Sequence, residues 1–193
     1  MVPSFGMVAV SRRVVLGAAA LGLGELCLPR NAHATLVRGL SLEELARTSQ
    51  LILLGTALEA SSHWETLGGR RRIVTDTRVR VDDVLDKGSP ASEVMVRTLG
   101  GTVGDLAAMV FGEAMLSLQE RAVLFLAEQS GVQRVTGMAQ GHYPLHLDAK
   151  KALRLAPSPR APELVGKGDL AVKRLTGQEL GQARVLIREA LGK

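Results

Sequence analysis

The sequence predicts a mainly β domain, a small closed barrel of five or six strands with a short helix before it and an amphipathic helix after it. Three patterns carry this expectation. Residues Ile73 to Val81 alternate with a period of two, which suits a strand with one face buried. The runs Leu51–Leu54 and Arg121–Ala127 are apolar at successive positions, as in strands covered on both faces. Pairs such as Gly68-Gly69, Gly100-Gly101 and Ser130-Gly131 punctuate the runs at hairpin spacing.

In chain order, Ser41-Leu42-Glu43-Glu44 has the S-x-x-E spacing of a capping box, so a helix is expected over 42–48. A strand follows from Gln50 to Ala60. The Gly68-Gly69 turn leads into a strand from Ile73 to Leu85, with Ile73, Thr75, Thr77, Val79 and Val81 on one face and Arg72, Val74, Asp76, Arg78 and Arg80 on the other. Lys87-Gly88-Ser89-Pro90 ends it. Val94, Val96 and Thr98 point inward from a strand over 93–99, and residues 102–118 read equally as a helix or an apolar loop. A central strand is expected over Arg121–Ala127, and a return strand from Val132 to Gly137 with a continuation to Leu145 open. A further strand falls near 151–156. Pro157, Pro159 and Pro162 mark a linker. Thr176-Gly177-Gln178-Glu179 has capping-box spacing and opens a helix to Leu191 whose Leu180, Ala183, Ile187, Ala190 and Leu191 form one stripe.

Strands of this number and length suggest an OB-like barrel. Four motifs add a resemblance: the Leu51–Thr56 strand, the Val84-Leu85-Asp86-Lys87-Gly88 turn, Val94-x-Val96-Arg97 followed by Gly100-Gly101, and Glu120-Arg121 running into Val123–Leu126. Over residues 37–147 the chain resembles a family of small secreted bacterial proteins without an assigned activity. More distantly it is similar to the netrin-type OB barrel of metalloproteinase inhibitors. Those inhibitors ligate the target's metal through an N-terminal cysteine; no cysteine follows Cys27 here, so that mechanism does not transfer.

The first 34 residues resemble a twin-arginine signal peptide. Ser11-Arg12-Arg13 stands before the uncharged run Val14–Gly24, which is too short for a membrane-spanning helix, and Ala32-His33-Ala34 offers small residues for cleavage after Ala34. Val15 and Gly17 depart from the usual Phe and Lys of that signal. The implied organisation is a signal at 1–34, a barrel domain at 35–156, a Pro-rich linker at 157–174 and a terminal helix at 175–193. The expected location is the periplasm or the secreted fraction.

Removing that segment takes Arg12, Arg13 and Arg30 against Glu25, so a net charge of +5 for 193 residues falls to +3. The basic pI of the whole chain is thus a weak argument for a nucleic-acid partner. The remainder has no cysteine, which excludes disulfides, thiol catalysis and thiolate metal sites from it. Its aromatic residues, Trp64, Phe111, Phe125 and Tyr143, are too few for stacking platforms that hold single strands or glycans.

Candidate chemistry is sparse. His142, His146 and Asp148 have the H-x-x-x-H spacing that binds zinc on a helix, but their surroundings alternate with a period of two and Pro144 opposes a helix interior. On a strand, residues four apart stand about 13 Å from one another, too far to share an ion. Ser61-Ser62-His63-Trp64-Glu65 gathers nucleophile, base and carboxylate, without the G-x-S-x-G elbow. Gly100-Gly101-x-x-Gly104 lacks the Lys-Ser/Thr of a phosphate loop. Arg70-Arg71-Arg72 with Arg78, Arg80 and Arg97 forms a basic set diluted by Asp76, Asp82 and Asp83.

The expectation is therefore an exported, non-enzymatic protein without a cofactor that binds another protein, with Trp64, Arg70 and Arg72 as contact residues. The alternative is a metal-dependent or hydrolytic enzyme using His63, His142 and His146. A third reading makes residues 157–193 a docking arm.

Overall fold

A computed structural model describes residues 37–166 and 168–193; the expected signal with Arg12, Arg13, Ala32 and Ala34, and also Cys27, lies outside the described residues. The capping box forms at the first helix, α1 (Leu42–Thr48). The Ser41 Oγ accepts from the Glu44 amide at 3.1 Å, and the Glu44 carboxylate accepts from the Ser41 amide at 3.1 Å. Ahead of it, the two-residue strand β1 (Val37–Arg38) pairs in parallel with β10 (Leu164–Val165).

Five strands make a ring-like sheet. These are β2 (Leu51–Leu67), β3 (Arg70–Lys87), β4 (Glu93–Val103), β6 (Arg121–Gln129) and β7 (Val132–Val135). They are hydrogen-bonded in the order β2-β3-β4-β7-β6, and β6 returns to β2 from Leu51↔Leu126 to Thr56↔Arg121. Every neighbour is antiparallel except the β4–β7 pair. A short hairpin strand, β5 (Leu106–Met109), pairs with the end of β4, and β8 (His142–Leu147) with β9 (Leu153–Leu155) extends the sheet beyond β6. The fold is mainly β, as the alternation implies. Among the described residues no helix is long and apolar enough to cross a membrane.

The doubly apolar runs have a direct explanation, since both faces of β2 and β6 are covered. Leu51 and Leu53 point into the ring with Val79, Val96, Ala122, Leu124, Leu126 and Val135. Ile52 and Leu54 point outward with Leu85, Val123, Phe125, Tyr143 and Leu155, beneath α1, α2 (Ala171–Leu175) and α3 (Leu180–Ala190). The edge of one of the rings Phe125 and Tyr143 meets the face of the other, with centroids 6.0 Å apart and planes at 68°.

Several expected boundaries differ. The stretch 102–118 is neither helix nor plain loop, because the β4–β5 hairpin turns at Gly104-Asp105 before a loop runs from Val110 to Glu120. The return strand stops at Val135; a 3-10 turn, Met138–Gly141, interrupts it, and β8 then resumes antiparallel pairing along the same edge of β6, from Leu124↔His142 to Ala122↔Pro144. The second capping box does not form. Thr176 instead ends α2, Gly177 and Gln178 exchange backbone hydrogen bonds with Leu155 at 2.8 and 2.9 Å, and Glu179 occupies the cap position of α3. Residues 157–193 are no free arm, since Ala171, Leu175, Ala183 and Ile187 belong to the outer core.

Replacing Ile187 by Ala removes a fully buried side chain from that core and is expected to lower unfolding stability by about 2–5 kcal/mol. Chemical denaturation followed by far-ultraviolet circular dichroism checks this, and a loosely attached helix would give almost no change.

Candidate functional site

The interior faces of β3 and β4 change character along their length. Val79 and Val96 are fully buried aliphatics, and toward one mouth of the ring Thr77, Thr75 and Thr98 replace them. There a cleft of about 380 Å³ opens between these threonines and the segment Ala107–Leu116. Gly101 makes the close approach possible. Its φ is 129°, and a Cβ on it would lie 2.3 Å from both the Ser62 and the Thr75 hydroxyl oxygens. The Thr75 hydroxyl donates to the Gly100 carbonyl at 2.7 Å and stands 2.8 Å from that of Ser62. Gly100-Gly101 is thus a place where strands come close, with no helix N-terminus behind it to hold phosphate.

Glu113 lines the cleft and is only 5% exposed. Burial pushes its carboxyl above the ordinary glutamate range, opposed by the Arg134 guanidinium 3.9 Å away. The rim is apolar and open to solvent, with Met109 72% and Met115 37% exposed; Phe111, 61% exposed, follows the lining residue Val110 in the chain. These residues fall in the stretch whose secondary structure is ambiguous in the sequence. The available signal was compositional: Met109, Phe111, Met115 and Leu116 follow closely on a Gly-Gly pair.

A second constellation lies at the start of β8. His142 is fully buried, its Nδ1 is 3.0 Å from the Ser158 Oγ, and its Nε2 is 3.3 Å from a Glu120 carboxylate oxygen. Nδ1 hydrogen-bonds with the Ser158 hydroxyl, whereas Nε2 and the Glu120 oxygen face each other without a hydrogen bond. The order serine, imidazole, carboxylate is that of an activated nucleophile. Ser158 is 4% exposed, flanked by Pro157 and Pro159, and absent from the lining of the cleft, so no substrate carbonyl can reach its Oγ. The Ser158 hydrogen bond pins the Pro-rich segment onto the ring, while His142 Nε2 is left buried without a hydrogen-bond partner.

The other expected site residues are dispersed. His146 is exposed further along β8, and the Asp148 carboxylate is occupied by Arg154 at 2.5 Å and by the Lys150 and Ala152 amides at 2.8 and 2.9 Å. Arg154 holds that carboxyl below the usual range. His63 sits on the outer face of β2, with Nε2 3.7 Å from Glu65 and 4.0 Å from Asp76, and Arg97 grips Asp76 at 2.6 and 2.7 Å and bonds to Glu65. Hydrogen bonds from Arg97 lower the Asp76 carboxyl. Among the described residues no group of three His, Cys, Asp or Glu is placed to hold a metal ion.

The basic set divides in two. Arg78 bridges Glu59 and Glu93, Arg80 pairs with Asp82 at 2.9 Å, and Arg97 is taken by its two acids. Arg70, Arg71 and Arg72 are exposed and form no ion pair among the described residues, and the Arg71 guanidinium carbon lies 4.7 Å from the centroid of the Trp64 ring. No family model, curated protein or solved structure matches the chain.

Two outcomes follow from this geometry. Ser158→Ala strands His142 Nδ1 in the core and is expected to cost about 1–3 kcal/mol, read as a fall in thermal midpoint. Glu113→Gln tests the buried carboxyl. Its raised value makes the folded state hold the proton more tightly, so wild type loses stability relative to the Gln variant as pH rises from the ordinary value near 4.5 through the raised one. Paired melts across pH 4 to 8 would show a gap widening upward, and a constant gap would contradict the assignment.

Proposed function

We propose that the protein is an exported, non-enzymatic binding module of the envelope or secreted fraction, built on an OB-like barrel, which holds a segment of another protein at the mouth of its ring. The closure order β2-β3-β4-β7-β6, with only β4 and β7 parallel, supports the OB-like reading. The Ser-Arg-Arg, apolar and Ala-x-Ala pattern of the first 34 residues supports export.

The observation that carries the binding reading is the cleft and its rim. Met109 and Met115 stay exposed at the edge of a concavity lined by threonine hydroxyls, one buried carboxyl and Arg160, and the exposed Phe111 adjoins it in the chain. Folding a chain with exposed large apolar side chains around a cavity leaves surface that only a ligand can remove from water. Methionine and aromatic side chains are the types enriched at protein interfaces. The hydrolytic alternative would draw on Ser158, His142 and Glu120, and the enclosure of Ser158 weighs against it.

A photo-crosslinking amino acid in place of Phe111, expressed in the source cells, tests the reading. A discrete adduct of defined mass is expected, weakened at least ten-fold by the added change Met109→Glu. Absence of any adduct from positions 111 and 115 would count against a protein ligand.

A further inference from the structure

The β2–β3 hairpin outruns the ring. Val74 is the last residue of β3 paired to β4, and from Trp64↔Ile73 to Leu67↔Arg70 the two strands pair only with each other. Four residue pairs at about 3.3 Å each carry the tip roughly 13 Å past that point. Gly68 and Gly69, with φ of 57° and 75°, close it in a two-residue turn that suits the strand twist.

The side chains on this ribbon are distributed in an unusual way. Alternation puts Arg70 and Arg72 on one face and Arg71 on the other, where it stacks on Trp64. Glu65, the acid opposite Arg72, is already bonded to Arg97. A protruding ribbon with free guanidinium groups on both faces cannot bring all of them onto one protein surface. A layer of phosphate headgroups meets every side of a tip that enters it. The tip adds Leu67, and a 36% exposed Trp64 stands on the flank of the ribbon behind it; tryptophan favours the membrane–water interface.

We propose that the tip of the β2–β3 hairpin docks on an anionic phospholipid surface, with Arg70, Arg71 and Arg72 on the phosphates and Trp64, stacked on Arg71, at the same depth among the headgroups. This holds whatever fills the cleft, and it assigns the residues expected to touch a protein to lipid instead.

Trp64 is the single tryptophan of the chain, so its fluorescence reports on the tip alone. The full chain is titrated with vesicles of phosphatidylglycerol and phosphatidylcholine in equal parts, some carrying brominated acyl chains. The expected result is a shift to shorter wavelength with only weak bromine quenching, since Trp64 stays at headgroup depth, absent with pure phosphatidylcholine and reversed by salt. Each of Arg70→Gln, Arg71→Gln and Arg72→Gln should weaken partitioning about five-fold, and the three together on the order of a hundred-fold. The proposal is overturned by unshifted emission on the mixed vesicles, by an equal shift on phosphatidylcholine, or by an unaffected triple variant, which would mean attachment through another part of the chain. A shift produced by inorganic phosphate alone, or by lipid-free envelope protein, would overturn it as well.

Discussion

The pairing of β2 with β6 is the contact on which the rest of the structure depends. It closes the ring from Leu51↔Leu126 to Thr56↔Arg121, and by doing so it gives the sheet an inside and an outside that must both be apolar. Leu51 and Leu53 then serve one core and Ile52 and Leu54 the other, a few ångströms apart along the same backbone. A shift of one residue in this register would exchange the two sets, placing side chains shaped for the interior under the helices. The helices, the Pro-rich segment and the mouth are arranged around that fixed seam.

Much of this was legible in the sequence for physical reasons. The face Ile73, Thr75, Thr77 and Val79 could be read as inward because alternation is imposed by the pleat itself, and the threonines that line the mouth were on it. Ser41 and Glu44 satisfy each other's amides over three residues, an interaction with no long-range requirement. Thr176 to Glu179 carries the same spacing and fails, because Leu155, more than twenty positions earlier, takes the backbone groups of Gly177 and Gln178. Ser158 could not be foreseen as a partner of His142: the pairing is made by tertiary packing across a proline-rich segment and leaves no local pattern.

The apolar rim was illegible for a related reason. Met109 and Phe111 fall in the stretch that reads equally as a helix or an apolar loop, and only the fold leaves both exposed. Their exposure is the informative departure, because apolar side chains at the edge of a concavity are costly to leave in water. The arginines show the converse. Six form one basic set in the sequence, and acids on neighbouring strands for Arg78 and Arg97, and Asp82 on the same strand for Arg80, separate these from the three at the tip.

The outer core has one further consequence, which concerns the order of events during folding. Ala183 and Ile187 complete a cluster with Leu42 and Leu45, far earlier in the chain. A nascent chain can pair β2 with β3 as a local hairpin, yet it must hold Ile52 and Leu54 uncovered until α3 has emerged and docked. Contacts of such long sequence separation are formed slowly. The unfinished domain therefore presents a sticky outer sheet for most of the time that these residues are being made, and it becomes a sealed object only when α3 closes over it.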